Sequence, residues 1–512
     1  ARLESIALAM GHVLERTALS PNIRDRLDFS CAVLDAHGTL VQNAPHLPVH
    51  LGALGVCTRA VMRTLELAAG DIAVTNHPAF GGSHLPDVTT VAPVFVDGAC
   101  VAFVAVRAHH AEIGGTRPGS FPPDAAALDE EGVVLEPFLA VQRGAFDATA
   151  CRGRFAAGSY PSRNPDENLA DLEAQIAATR HGVAQVAALA LELGSGFAAR
   201  CQGELDRAAT ALRRAISRIG TMPRAASVQL DDGSTIAARA DIVAVAAIPT
   251  LRISFAKSAG VHPRNFNAPL AVTRAATLYT LRLLIDEGVP MNEGLVNAFE
   301  LDVPEGMLHP PFTADPTRCP PVVAGNVETS QSVVAALVEL FGLSAESQST
   351  MNNTLFGNDR FTIYETLGGG AGAGMGAAGA SAVHVHMSNT RLTDIDVLER
   401  RAGVIIRRFE VRRGSGGDGQ WRGGDGLVRS YEFREPVSLS FFGSRRTHAP
   451  RGAAGGGAGA CGVQQIEHDG RTTTLHDAVI SLELTAGDRF TVETPGGGGW
   501  GPVSAAARAR AD

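Results

Sequence analysis

The sequence predicts an α+β fold: one large interlocked chain with an N-terminal α/β region, central helices and a C-terminal region rich in strands and glycine. Three observations predict it. Leu3 to Leu19 and Leu169 to about Ile219 carry apolar residues at helical spacing. Val88 to Val106 reads as strands about an Asp97-Gly98 hairpin turn. After about Arg407 the chain turns to β-strands and glycine turns, ending in Thr494-Pro-Gly-Gly-Gly-Gly-Trp500. The segments expected from these shifts are 1–160, 161–406 and 407–512.

In order, Leu3, Ile6, Ala7, Met10, Val13 and Leu14 mark the first amphipathic helix. Asp28 opens two strands about an Ala36-His37-Gly38 turn, and a second helix runs from Leu51 to Leu67. From Pro118 to Gly153 the chain is acidic and aperiodic, which at this length points to a functional or interface-forming loop. Asn164-Pro-Asp-Glu-Asn caps the long helical stretch, which breaks at Gly194-Ser-Gly196. Ser227 to Ile253 is β in character about Asp231-Asp232-Gly233. Further helices follow at Asn265–Leu284 and Ser332–Phe341. The run Gly368–Gly374 has two readings, an anion cradle of free amides or a loop that lets backbone approach the core.

Composition excludes several function classes. The 512 residues are 45% hydrophobic and 19% charged, as in a globular protein of two to four packed domains or one large one. A net charge of -9 argues against nucleic acid as the main partner. Lys257 is the one lysine, and no Gly-x-x-x-x-Gly-Lys-Ser/Thr is present, so a Walker-type ATP site is expected on another chain. Seven scattered cysteines without Cys-x-x-Cys point to reduced thiols and a cytoplasmic location. No apolar run approaches the ~18–20 residues that span a bilayer, so no membrane partner is expected. The opening Ala1-Arg-Leu-Glu lies inside a helical pattern, and a few preceding residues are expected.

The chemistry concentrates between Thr75 and Pro118. His84 and Asp87 sit three apart in a segment that Gly81, Gly82 and Pro86 keep from being helical. A hairpin returning from Val106 brings His109 and His110 beside them. Two imidazoles and carboxylates are what a Zn, Mn or Fe site needs. A hydrogen-bonded structural pair is the alternative for His-x-x-Asp, and adjacent histidines on a strand face opposite sides; the cluster between two Gly-Gly pairs favours a metal or catalytic site. Asp28, beside Arg24 and Arg26, reads as a surface ion pair on its own. His46 and His50 are open between reaching the site and packing near a proline turn. His384 and His386 share a face of an expected strand, which suits either a metal or hydrogen bonds from Met387-Ser-Asn-Thr.

Together, Asp28-Phe-Ser-Cys-Ala, His46-Leu-Pro-Val-His-Leu-Gly, Gly81-Gly-Ser-His-Leu-Pro-Asp and Ala108-His-His-Ala-Glu-Ile-Gly-Gly resemble the hydantoinase B/oxoprolinase family. Asn326-Val-Glu-Thr-Ser-Gln, Thr350-Met-Asn-Asn, Tyr364-Glu-Thr-Leu-Gly-Gly-Gly, Asn389-Thr-Arg-Leu-Thr-Asp and Trp421-Arg-Gly-Gly-Asp-Gly carry the resemblance along nearly the whole chain. It implies metal ligands at Asp28, His84, Asp87 and His109, which raises Asp28 from ion pair to ligand and makes the N-terminal region a metal-site region. Two departures stand out: His77 and Glu112 occupy positions where the family commonly has aspartate.

The resemblance further implies a B-type subunit of a hydrolase that opens a hydantoin, 5-oxoproline or lactam ring. Zn or Mn would be held by this chain, and ATP with Mg by a hydantoinase A-like partner in an α2β2 assembly. On this reading His110 or Glu112 moves protons, and Asn389 and the glycine-run amides are candidate oxyanion donors. The alternative is a subunit of an ATP-dependent ketone carboxylase of the acetone or acetophenone type.

Overall fold

The first helical pattern forms α1 (Arg2–Thr17), followed by the single turn α2 (Pro21–Arg24). Strands β1 (Phe29–Asp35) and β2 (Leu40–Asn43) form the expected hairpin. Helix α3 (Pro48–Thr64) begins three residues before the apolar pattern, because Pro48 sits in its first turn, where its missing N–H has no cost. Next come β3 (Ile72–Thr75), β4 (Asp87–Val96) and β5 (Ala99–His109), the last two joined through Asp97 and Gly98 in left-handed conformations. The acidic stretch is less loop-like than expected, since it contains β6 (Phe138–Gln142), β7 (Ala145–Phe146) and α4 (Ala148–Phe155). Helices α5 (Pro165–Leu193) and α6 (Gly196–Ser217) break where the glycines predict, and α7 (Leu270–Leu283) follows. The computed structural model describes residues 1–44, 47–220, 222–245 and 248–503, so His46 lies outside the described residues.

Strands β2-β1-β5-β4-β3-β6-β7 form one antiparallel sheet. Period-two alternation sends its side chains to two different cores. Cys31 and Val33 of β1, with Val104, Val106 and Ala108 of β5, meet Met10 and Leu14 of α1 and Ala174 and Ala178 of α5. Ala32, Leu34, Phe103, Ala105 and Val91 meet Leu54, Cys57 and Val61 of α3. The sheet is therefore covered on both faces, which explains why β1, β4 and β5 read as near-continuous apolar runs.

This sheet belongs to a compact unit of residues 1–223, 240–256 and 260–326; a second unit comprises 224–239, 257–259 and 327–512. The expected boundaries near 160 and 406 fall inside these units. The second unit holds the helix Ser330–Phe341, a four-stranded sheet and a five-stranded sheet that accounts for the C-terminal β signal. Among the described residues, no single helix is long and apolar enough to cross a membrane.

Glycine organises the second unit in a way the sequence reading left open. Along its last glycine run, successive amides bond different neighbours: Gly496 N to Ala460 O, Gly497 N to Gly424 O, Gly498 N to Glu346 O, Gly499 N to Gly457 O and Trp500 N to Trp421 O. Partner segments recur every third residue, the period of a polyproline II helix. A Cβ on Gly496, Gly497, Gly498 or Gly499 would lie 1.9, 2.0, 2.1 or 2.2 Å from a neighbouring carbonyl oxygen. The run Gly368–Gly374 joins the same bundle, with Gly370 N on Pro495 O, Ala371 N on Ala380 O and Ala373 N on Gly498 O. These amides are used inside the protein, so the run is a close-packing element and not a source of oxyanion donors.

Candidate metal centre

The register of three strands assembles the site. Asp87 on β4 is the Cα partner of His109 on β5, and His109 N donates to Asp28 O, just before β1, at 3.0 Å. Asp87, His109 and Asp28 thus form one row across the sheet. Parity puts this row on the α3 face: Val91, Phe103, Ala105, Ala32 and Leu34 point there, so Asp87, Arg107, His109, Ser30 and Asp28 follow at even steps.

The loop before β4 delivers His84 to the row. Asn76 pins it, donating to Leu85 O and Val133 O (both 2.8 Å) and accepting from Leu135 N (2.7 Å). Gly81 adopts φ +83° and passes so close to α3 that a Cβ would sit 2.6 Å from Cys57 N, which only glycine permits. His77, at a position where an aspartate would cap the following turn, does the same work through its ring: Nδ1 accepts from Ala79 N at 3.1 Å. Burial pushes its pKa down to about 4, so it caps as a neutral group.

His84, Asp87 and His109 converge, with ligand atoms within 4.8 Å of one another. Asp87 Oδ1 lies 3.3 Å from His84 Nε2 and 3.3 Å from His109 Nδ1. Ligands at Zn–N and Zn–O lengths on a tetrahedral centre are about 3.3–3.4 Å apart, so both edges fit a divalent ion. The polar atoms also ask for one. His84 Nδ1 and Nε2 and Asp87 Oδ1 are buried with no hydrogen-bond partner, a state that costs about 1–3 kcal/mol per group when unrelieved. Phe121 closes over the His84 ring edge-on, with centroids 5.6 Å apart.

Ligation needs neutral imidazole and ionised carboxylate, and the shifts of Asp87 and His109 run in those directions. Burial opposes the Asp87 charge, but the neighbouring His84, His50 and His109 imidazoles outweigh it and hold the carboxylate well below its usual range. Burial lowers the pKa of His109, against the opposing influence of the nearby Asp28 and Asp87 carboxylates.

The other expected residues are placed differently. The Asp28 carboxylate is buried beside His109, 4.0 Å from Arg26 Nη2, and is not among the three converging groups. His110 turns to the opposite face of the sheet. There its Nε2 meets Gln175 Oε1 at 2.9 Å, Asn168 Nδ2 donates to its Nδ1 at 3.1 Å, and its ring stacks on Phe155. With both nitrogens engaged and burial lowering its pKa, it is a packed neutral histidine. Glu112 accepts from Gly114 N (2.6 Å), Gly119 N (3.0 Å) and Arg163 Nη1 (3.0 Å), and so holds the Gly-Gly turn. Asn389 lies exposed in the second unit, beside Thr390, whose hydroxyl bonds Thr366. His384 is not on a strand; its Nδ1 pairs with Ser388 Oγ at 2.8 Å, the hydrogen-bonding alternative.

Four supporting residues stand around Asp87. His50 Nε2 reaches Asp87 Oδ2 at 3.1 Å, and Ser83 Oγ donates to the same oxygen at 2.5 Å. Ser30 Oγ lies 3.2 Å from His50 Nδ1, and Arg107 Nη1 donates to Ser83 Oγ at 3.2 Å. Sequence reasoning left His50 open and missed the other three. The available signal was parity: Ser30 and Arg107 are polar residues at inward positions of otherwise apolar strands.

Comparison with known proteins agrees with this architecture. The family model described as hydantoinase B/oxoprolinase matches residues 1–503. 5-Oxoprolinase 1 of Arabidopsis thaliana is 39% identical over 531 residues, covering 98% of this chain and 41% of the relative, so the chain spans less than half of that protein's length. The ATP-dependent caprolactamase from Pseudomonas jessenii shares the fold with a TM-score of 0.85 at 22% identity, covering 99% of this chain and 91% of that one. The nucleotide-free acetone carboxylase structure does so with a TM-score of 0.82 at 15% identity, covering 98% and 74%.

Proposed function

The chain belongs to the hydantoinase B/oxoprolinase family, and on that premise we propose that it is the metal-holding part of an ATP-dependent enzyme that opens a cyclic amide or imide. The substrate class is a hydantoin, 5-oxoproline or a lactam, with C–N bond hydrolysis as the outcome. The observation that carries the metal reading is the buried convergence of His84, Asp87 and His109, with His84 Nδ1 and Nε2 and Asp87 Oδ1 accepting and donating no hydrogen bond.

His84, Asp87 and His109 hold the ion, Zn or Mn, and Asp28 is the fourth candidate ligand from the adjoining place in the row. A divalent metal bound there supplies Lewis acidity toward the ring carbonyl or toward water. The chain's own part is to bind, orient and dry the site. Phe121 covers His84, and the sheet and α3 keep Asp87 and His109 from solvent. An unstrained amide is a poor electrophile, and O-phosphorylation by ATP turns its oxygen into a leaving group.

We assign ATP and Mg to a hydantoinase A-like partner, in an α2β2 assembly. Support comes from the B-type family assignment and from a sequence whose one lysine, Lys257, lies in no Walker motif. Seven scattered cysteines without a Cys-x-x-Cys pair support a reducing, cytoplasmic setting.

The test is ADP release by this chain reconstituted with such a partner, challenged with 5-oxoproline, hydantoins, lactams, or acetone with bicarbonate. Release tied to ring opening is the expected result. Release only with ketone and bicarbonate would overturn the hydrolase reading in favour of a carboxylase.

A further inference from the structure

We propose that His50 is a positioning residue for Asp87, holding one carboxylate oxygen so that the other alone faces His84 and His109. This rests on the metal reading above. It concerns a residue outside the expected ligand set.

The two oxygens of Asp87 are not equivalent. Oδ2 is taken by His50 Nε2 at 3.1 Å and Ser83 Oγ at 2.5 Å. Oδ1 accepts no hydrogen bond and lies 3.3 Å from a nitrogen of each neighbouring imidazole. The arrangement is directional all the way out. Ser30 Oγ lies 3.2 Å from His50 Nδ1; a hydroxyl donating there would leave the His50 proton on Nε2, aimed at Asp87. Arg107 Nη1 donates to Ser83 Oγ, and its Nε and Nη2 are spent on Thr89 Oγ1 and Gly81 O, so the Ser83 proton is free for Asp87.

All of these groups are buried, with Ser30, Ser83 and Arg107 at 0% exposure and His50 at 1%. Water therefore cannot replace a missing donor cheaply. The chemical consequence is monodentate ligation through Oδ1. Without His50, Oδ2 keeps a single donor, and the carboxylate can rotate or offer both oxygens to the ion. Hydrogen-bond partners of metal ligands typically contribute about 10–100-fold in affinity.

The experiment uses the full chain, stripped with a chelator and titrated with Zn(II) against a chromophoric competitor, with the Co(II) ligand-field spectrum as a second readout. H50A is expected to weaken Zn(II) binding by about 10–100-fold and to change the Co(II) spectrum. H50Q, whose side-chain amide can donate to Oδ2, should recover most of both. S83A removes the other donor and should weaken binding in the same direction, which keeps the test open if H50A fails to fold. Wild-type affinity and an unchanged Co(II) spectrum in both S83A and H50A (or H50L, which also lacks a donor, where H50A does not fold) overturn the positioning role while leaving the metal centre standing. Absence of Zn(II) binding by the wild type, or equal binding by H84A, overturns the metal reading itself.

Discussion

His109 Nδ1 lies 3.3 Å from Asp87 Oδ1 because the two residues are register partners on adjacent strands. Metal binding is thereby tied to strand pairing, and His84 is the only converging group supplied by a loop. We expect H84A, D87A and H109A each to abolish stoichiometric divalent metal after purification, measured by elemental analysis. D28A should weaken retention without abolishing it, since its carboxylate stands beside the converging trio. A D28A protein with undiminished metal affinity would remove Asp28 from the ligand set.

His110 follows His109 in sequence yet works on the other side of the sheet. H110A leaves the buried amides of Gln175 and Asn168 without their ring partner. A loss of about 1–3 kcal/mol in urea unfolding is expected, with metal content unchanged. Loss of metal in H110A at intact fold would place the ring in the site after all.

How much of this was legible follows from which rule governs each residue. The β4–β5 hairpin and its histidines could be read because Asp97-Gly98 fixes the turn, and period two then fixes which side chains meet. The same period correctly separates His109 from His110. The partners of Glu112, Gly114 N, Gly119 N and Arg163, were not legible because they depend on loop closure and a long-range contact that no local pattern encodes. Ser83 and His50 were unreadable as a pair for a similar reason: a loop and a helix N-terminus meet only after α3 packs on the sheet. The glycine run at 368–374 kept two readings because a free amide and a tightly packed one look identical in sequence.

A pH effect is expected from Glu131. Its carboxyl accepts from Val322 N at 3.0 and 2.9 Å and from Val323 N at 2.9 Å, and it is fully buried. Burial pushes its pKa up to about 8 from 4.5, against the pull of those two amides. The folded state therefore holds a proton that the unfolded chain has released. This stabilisation is complete below about 4.5 and is lost as pH rises through about 8, with a slope of up to about 1.4 kcal/mol per unit in between. Urea unfolding at several pH values should show this slope reduced in E131Q. Equal slopes in the two proteins would rule out Glu131 as its source.

The glycine bundle makes a sharper claim about stability. At Gly497 an added Cβ would meet Ala371 O at 2.0 Å and Ala371 C at 2.3 Å, both backbone atoms that no side-chain rotation can move away. G497A must therefore displace a segment bonded on both sides, since Gly497 N donates to Gly424 O and Gly417 N donates to Gly497 O. The expected loss is at or above the roughly 3 kcal/mol end of overpacking effects. Gly203 is the control: it lies exposed within α6, with nothing within 4 Å of its would-be Cβ. There the same substitution should stabilise by up to about 1 kcal/mol through helix propensity. Chemical denaturation of both variants decides the matter, because a mild effect of G497A would mean that the segments are not packed backbone to backbone.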